Sequence, residues 1–206
     1  MTESLDRETI MGHFSGILEI QEKLSGYIHR RLCVNCDELV DEEWLNKRKE
    51  AFKFIRGLVD KYAFSKKLPR DELGILTQSM ISHLLNIQHT FLRVLVLIDI
   101  LQDEPFNEIF MDSLSTISSK VQEMMDALKK MVNQRAENLN DAEITLEILM
   151  KLEREIDEDN IVICRQISVA AGSDCDFASY ILRKIVAELE HISDYAKECA
   201  EIIAEI

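Results

Sequence analysis

The chain has 206 residues, of which 24 are basic and 38 acidic, and its formal net charge is −14 at pH 7. This length is enough for one compact domain or two small halves, and 47% hydrophobic residues are too many for a disordered acidic tail. With only 6 glycines and 2 prolines, the chain has few places for tight turns, so an all-β fold is not expected. A charge this negative repels a phosphate backbone, which argues against nucleic acid as a partner.

Helical spacing of apolar residues runs through almost the whole chain, and it predicts an all-α fold of six helices. The first helix covers residues 8–32 and the second covers residues 38–64. The third begins at Pro69, because a missing N–H suits a first helical turn, and Asp71 and Glu72 supply the negative charge that such a turn favours. It ends near Gln102.

The second half of the chain repeats this layout of three helices. Pro105 begins the fourth helix, which ends near Glu137, and Gly172 stops the fifth. Two capping boxes begin the last two helices: Asn140 with Glu143, and Ser173 with Asp176. Each half therefore holds three helices in about the same length of chain. The sequence predicts a duplicated unit, with one three-helix bundle in residues 1–103 and a second in residues 104–206.

Two segments of the second half share a pair of acidic residues four positions apart. Residues 152–157 read LEREID and residues 189–194 read LEHISD. The four carboxylates are those of Glu153, Asp157, Glu190 and Asp194. On a helix, each pair stacks one turn apart with Cβ atoms about 5–6 Å from each other, so the carboxylates repel unless a cation lies between them. Four hard oxygen donors on neighbouring helices suit iron, manganese, magnesium or calcium.

A solvated acidic face is the competing interpretation of these residues. The apolar stripe of the last helix consists of Ile185, Leu189, Ile192, Ala196, Cys199 and Ile203. Glu190 and Asp194 point about 140–180° away from that stripe, which predicts that they face solvent. Glu153 and Asp157 flank the corresponding stripe of the fifth helix. A metal site built from these four residues would then lie in an outer groove.

Residues 181–203, ILRKIVAELEHISDYAKECAEII, resemble the signature helix of the PhoU-like family of phosphate transport regulators. The likeness lies in a run with the order leucine, acid, any residue, isoleucine, small residue, Asp, aromatic, Ala. Residues 152–157 are similar to the preceding family helix. The resemblance extends to the accessory proteins of Pit-type phosphate transporters. It implies two three-helix bundles and a regulator rather than an enzyme.

The resemblance also implies a function for the carboxylates. Family members bind iron, zinc or other metal clusters at the bundle surface and contact a phosphate transporter or the sensor kinase of phosphate signalling, so peripheral membrane contact is expected only through that partner. By this likeness Glu153, Asp157, Glu190 and Asp194 are the metal ligands, with iron as the first expectation and zinc or another divalent metal as alternatives. In the first half, Asn86 and Thr90 stand where Glu and Asp are expected, and Lys49 and Lys53 lie near the other motif position. That half is therefore expected to be degenerate.

Two other classes of protein remain as alternatives. Glu188 and His191 form one Glu-x-x-His, whereas ferritin-like di-iron or metal-storage bundles need two such motifs and two further glutamates. None of the other four histidines has a Glu three residues earlier, which argues against that chemistry, and the helical angle predicts a solvated His191. A metal-free helical adaptor is the second alternative. No catalytic triad or phosphate-binding glycine loop is present in the sequence.

Location in the cytoplasm is expected from the cysteines and the apolar segments. Five cysteines form an odd, scattered set, which is typical of reduced thiols, and Cys33 and Cys36 mark the end of the first helix, with redox or metal binding as the lesser alternative. The longest apolar stretch, residues 94–101, contains Asp99 and follows Arg93, so it should not span a bilayer. Residues 91–98 are apolar on more than one face, which predicts deep burial or a homodimer seam.

Overall fold

The computed structural model describes residues 4–33, 68–101, 108–139, 141–171 and 176–206, together with Asn46, Lys49 and Lys53. Within these residues the chain forms five α-helices and no β-strand, which confirms the all-α fold. The helices are α1 (Arg7–Leu32), α2 (Glu72–Leu101), α3 (Glu108–Ala136), α4 (Ala142–Ala171) and α5 (Phe177–Glu205). The predicted helix at residues 38–64 lies outside the described residues, apart from the three helical positions named above.

The beginning of α2 differs from the prediction in its capping residue. Pro69 precedes the helix, and the side chain of Asp71 accepts a hydrogen bond from the backbone N–H of Gly74 at 3.1 Å. Asp71 is therefore the cap and not a first-turn residue. The carbonyl oxygen of Pro69 lies only 1.9 Å from the position that a Cβ atom on Gly74 would occupy. This close approach explains why residue 74 has no side chain.

An aspartate precedes each of the helices α4 and α5. Asp176 is the cap of α5, since its side chain accepts a hydrogen bond from the N–H of Ser179 at 2.6 Å. The prediction that Asp176 would be the inner member of a capping box was wrong, because Asp176 itself precedes the first helical residue. Asp141 precedes α4, and its carbonyl accepts a hydrogen bond from the N–H of Thr145. Asn140 and Ser173, the predicted caps, lie outside the described residues.

The five helices enclose one continuous hydrophobic core. α3, α4 and α5 pack against one another, while α1 packs chiefly on α3 and α2 chiefly on α5. α1 and α2 make much less contact with each other. The predicted core stripe of α5 is confirmed, because all of its members are fully buried: Ile185, Leu189, Ile192, Ala196, Cys199 and Ile203. The division of the chain near residue 103 stays a prediction.

α2 is the most apolar helix. By length and composition alone it could cross a membrane, although 56% of its most apolar 18-residue window is buried inside the protein. The prediction that residues 94–101 do not span a bilayer considered a shorter stretch than the helix, and it stays a prediction. Phe91 and Leu95 are fully buried, whereas Val96 is 37% exposed. Burial within the chain thus accounts for most of the apolar excess, and a homodimer seam stays a prediction.

The cysteines correct one expectation. Cys33, the residue after the last helical turn of α1, is disulfide-bonded, whereas the sequence favoured reduced thiols and kept redox chemistry at Cys33 and Cys36 as the lesser alternative. An odd number of cysteines excludes complete pairing but does not exclude a single bridge. Cys164 and Cys199 are free, and burial raises the pKa of both thiols. The fully buried Cys199 belongs to the core, as predicted.

Candidate metal centre

The candidate site lies between α4 and α5, which run antiparallel. On α4 the apolar residues Leu152 and Ile156 turn inward, so that Glu153 and Asp157 occupy the edge of the helix that adjoins α5. On α5 the buried Leu189 and Ile192 fix the rotation of the helix in the same way. The rotation brings Asp194 to the same edge. Packing of the core thus places acidic residues from both motifs in one groove.

Three of the four predicted ligands converge closely. Glu153, Asp157 and Asp194 can each present one carboxylate oxygen within 4.8 Å of the other two. Glu153 is 7% exposed, and the two aspartates are partly exposed. Three oxygens at this separation can surround a single cation, so the geometry is compatible with coordination of an oxygen-preferring metal.

Glu190 adjoins this group without belonging to the tight triad. Its pKa is raised first by burial and then by the charge of Asp194, with smaller effects from Asp157 and Glu153. The Glu190 side chain is 24% exposed. The prediction that Glu190 and Asp194 face solvent is therefore confirmed only in part, because both side chains are partly exposed. Both side chains do point away from the buried stripe of α5. However, α4 packs beside this face of α5 and covers part of it, whereas an isolated helix would leave the whole face open to water.

Mutual repulsion and burial disfavour full ionisation of the group. Burial raises the pKa of Asp157, and the charge of Glu153 raises it further; burial and the charge of Asp157 do the same for Asp194. The Oδ1 atom of Asp157 is buried and has no hydrogen-bond partner among the described residues. An unpartnered buried carboxylate oxygen is costly, and a cation bound at this atom would remove the cost.

A lysine that the sequence reasoning overlooked completes the site. The ammonium of Lys197 lies 2.7 Å from a carboxylate oxygen of Glu153, and this hydrogen bond raises the pKa of Lys197. Lys197 follows Asp194 by three residues and Glu190 by seven, so helical spacing places it on the same face. That spacing was the signal that could have identified it. Lys197 supplies one positive charge, which does not balance all the negative charge of the carboxylates.

The first half of the chain contains a different arrangement at the corresponding positions. Thr90 is fully buried, and its hydroxyl donates to the carbonyl of Asn86 at 2.9 Å while accepting from the guanidinium of Arg93. Lys49 and Lys53 are helical and exposed. The described positions offer an amide, a hydroxyl and cations where the second half has carboxylates.

The Glu-x-x-His motif of α5 is engaged elsewhere. Glu188 forms an ion pair with Arg93 of α2 at 2.8 Å, whereas His191 is 3.8 Å from the same carboxylate oxygen. The side chain of His191 is 49% exposed, in agreement with the predicted solvated histidine. Glu188 therefore joins α2 to α5, and it has a cationic partner already.

Comparison of the chain with models of protein families, with curated proteins and with solved structures found no match.

Proposed function

We propose that the chain is a regulator or accessory protein of phosphate transport that binds metal at the α4–α5 groove and acts by contact with another protein. The proposal rests on the likeness of both acidic motifs to those of PhoU-like regulators. The observation that carries it is the convergence of Glu153, Asp157 and Asp194, which come from the two separate motifs, within 4.8 Å. Glu190 is the fourth proposed ligand, because the same carboxylates perturb its pKa.

The proposed ligands are chemically suited to a small, highly charged cation. The four carboxylates outnumber the one lysine of the group, so when all are ionised the group keeps an excess of negative charge that a divalent or ferric ion would neutralise. Partial burial strengthens such an interaction relative to water, and the open side of the groove leaves room for bound water or a second ion. Iron is the proposed metal, with zinc as the alternative.

The same proposal covers the finer architecture that PhoU-like regulators have. We propose six helices in two three-helix bundles, residues 1–103 and 104–206, with the metal site in the second. The described helices support this layout in part, because α3, α4 and α5 pack against one another as a three-helix unit. A cytoplasmic location and a phosphate transporter or sensor kinase as partner belong to the same proposal.

Metal analysis of the purified protein tests the site. The protein is washed with chelator, reloaded with ferrous iron or zinc, and measured for bound metal and for a rise in melting temperature. We expect Glu190→Gln combined with Asp194→Asn to abolish both effects. The matched control is Glu143→Gln combined with Glu147→Gln, which removes two exposed acids at the same spacing on α4. Equal uptake by all three proteins would contradict the assignment.

The regulatory part is tested separately. Phosphate uptake is measured in cells that produce an inorganic phosphate transporter with the wild-type chain, with the Glu190→Gln, Asp194→Asn variant or with neither. We expect the wild-type chain to change uptake and the variant to lose that effect. Intact metal binding with no change in uptake would retain the metal site and reject the role in phosphate transport.

A further inference from the structure

Exposed apolar side chains of the described residues are concentrated at one end of the helix bundle. Seven of the twelve large ones lie there: Val96, Ile100, Ile161, Val162, Val169, Phe177 and Tyr180. The first two belong to α2, which runs antiparallel to α5, as the ion pairs Arg93–Glu188 and His83–Glu198 show. The end of α2 therefore lies beside the beginning of α5. Exposed apolar side chains gathered at one end of a protein are candidates for an interaction surface.

The end of α4 and the beginning of α5, residues 160–171 and 176–187, form what we call the hairpin tip. Each helix carries one stripe in which apolar and basic residues share a face at positions i, i+3 and i+7. The stripes are Val162, Arg165 and Val169 on α4, and Phe177, Tyr180 and Lys184 on α5. The ammonium of Lys184 lies 5.9 Å from the centre of the Tyr180 ring. The hairpin tip thus exposes apolar and cationic side chains next to each other.

Charge distinguishes the hairpin tip from the adjoining chain. Residues 160–187 hold three basic and two acidic side chains. Residues 137–159 hold nine acidic and two basic ones, and residues 188–206 hold six acidic and one basic. Of these two helices, an anionic surface would repel the acidic parts and attract the exposed Arg165 and Lys184 of the shared end.

The shape of the hairpin tip favours a lipid surface over a protein groove. Val169 is 83% exposed, Phe177 56% and Tyr180 51%, so these side chains project from the ends of helices. Projecting aromatic and aliphatic groups with lysine and arginine beside them are typical of segments that enter the headgroup region of a membrane. Each basic residue near the surface adds attraction to anionic lipids.

We propose that the hairpin tip binds directly to the surface of an anionic membrane. Phe177, Tyr180 and Val169 enter the headgroup region, while Arg165 and Lys184 contact lipid phosphates. This interaction does not depend on the metal site, and it would hold the chain at the membrane without a partner protein.

Vesicle co-sedimentation of the full chain tests the proposal. The probes are vesicles of phosphatidylcholine alone and vesicles of phosphatidylcholine mixed with phosphatidylglycerol. We expect binding only to the mixed vesicles, and weaker binding in high salt. The apolar variant Phe177→Ser, Tyr180→Ser and the charge variant Arg165→Gln, Lys184→Gln should each bind about tenfold less. All four side chains are exposed, so the variants should fold normally, as circular dichroism would verify.

Matched controls come from the opposite end of α4. Ile144→Ser removes an apolar side chain that is 61% exposed, and Lys151→Gln removes a lysine that is 78% exposed. Both should bind like the wild type. Equal binding by controls and tip variants, or no binding to mixed vesicles, would overturn the proposal. Light scattering that shows a wild-type dimer, lost in the tip variants, together with no binding to vesicles would assign the surface to a second copy of the chain instead.

Discussion

Lys197 of α5 and Glu153 of α4 form an ion pair 2.7 Å long across the groove in which the carboxylates meet. Glu153 is 7% exposed, so its charge has little access to water. The lysine occupies the position of a counter-ion, and a metal that binds the same carboxylate must compete with it. Lys197 would therefore link the stability of the metal-free protein to the affinity for the proposed metal.

Replacement of Lys197 by methionine should separate these two properties. In chelator, Lys197→Met leaves Glu153 without its partner and should lower the free energy of unfolding by about 2 kcal/mol. Metal affinity should rise several-fold, because no internal cation competes. Urea denaturation and metal titration measure the two effects, and Lys151→Met is the control. Weaker metal binding by Lys197→Met would show that the lysine supports the site.

The stability of the metal-free protein should depend on pH through Asp157, Glu190 and Asp194. Burial and neighbouring charges raise the pKa of each carboxyl in the folded state, so the folded chain holds these protons more tightly than the unfolded chain does. The free energy of unfolding should therefore fall as pH rises from the ordinary carboxyl range through the raised pKa values.

Neutral substitutions test this dependence. Asp157→Asn combined with Asp194→Asn should be more stable than the wild type at neutral pH in chelator, because the repulsion is absent. The difference should shrink towards about pH 4, where the carboxyls of the wild type take up protons. Urea denaturation at a series of pH values provides the measurement. A constant difference across the series would mean that these groups do not titrate as described.

Two helical glycines should respond in opposite ways to alanine. A Cβ atom on Gly74 would lie 1.9 Å from the carbonyl oxygen of Pro69, so Gly74→Ala must displace backbone and should cost about 1–3 kcal/mol. Gly16 on α1 has no atom within 4 Å of its Cβ position, and Gly16→Ala should gain about 1 kcal/mol from helix propensity. Thermal denaturation compares them. A stabilising Gly74→Ala would contradict the close approach of Pro69.

Replacement of Gln88 of α2 by an apolar residue should stabilise the folded protein. It is fully buried, and neither amide atom has a hydrogen-bond partner among the described residues. Gln88→Leu removes this unsatisfied group at similar size and should raise the free energy of unfolding by about 1 kcal/mol. Gln21→Leu is the comparison, because Gln21 donates to the carbonyl of Leu84 at 2.8 Å and its removal loses that bond. Destabilisation of the chain by Gln88→Leu would contradict this expectation.

Sequence periodicity predicted the core of α5 because a long amphipathic helix fixes its own buried stripe. It also predicted that two motifs on consecutive antiparallel helices would face each other, and Asp157 and Asp194 do meet. The partial burial of Glu190 could not be predicted in this way. A helical angle describes one helix, and burial at a groove depends on where the neighbouring helix lies.

Local signals at helix ends were less informative. Pro69 was assigned to the first turn of α2, but the aspartate two residues later caps the helix, because a side chain that can accept a hydrogen bond outweighs the preference of proline for that position. The pairing of Arg93 with Glu188 depends on contact between the two halves of the chain. A pair 95 residues apart has no local signal in the sequence.

The packing of α2 on α5 and of α1 on α3 also bears on assembly. The described helices of the first half, α1 and α2, are buried chiefly against the second half, and the core is continuous between them. The same contacts would form equally well if the halves came from different molecules. An intertwined dimer, in which two chains exchange their first halves, would keep every buried contact of the single chain, and it would place two copies of the carboxylate groove in one particle.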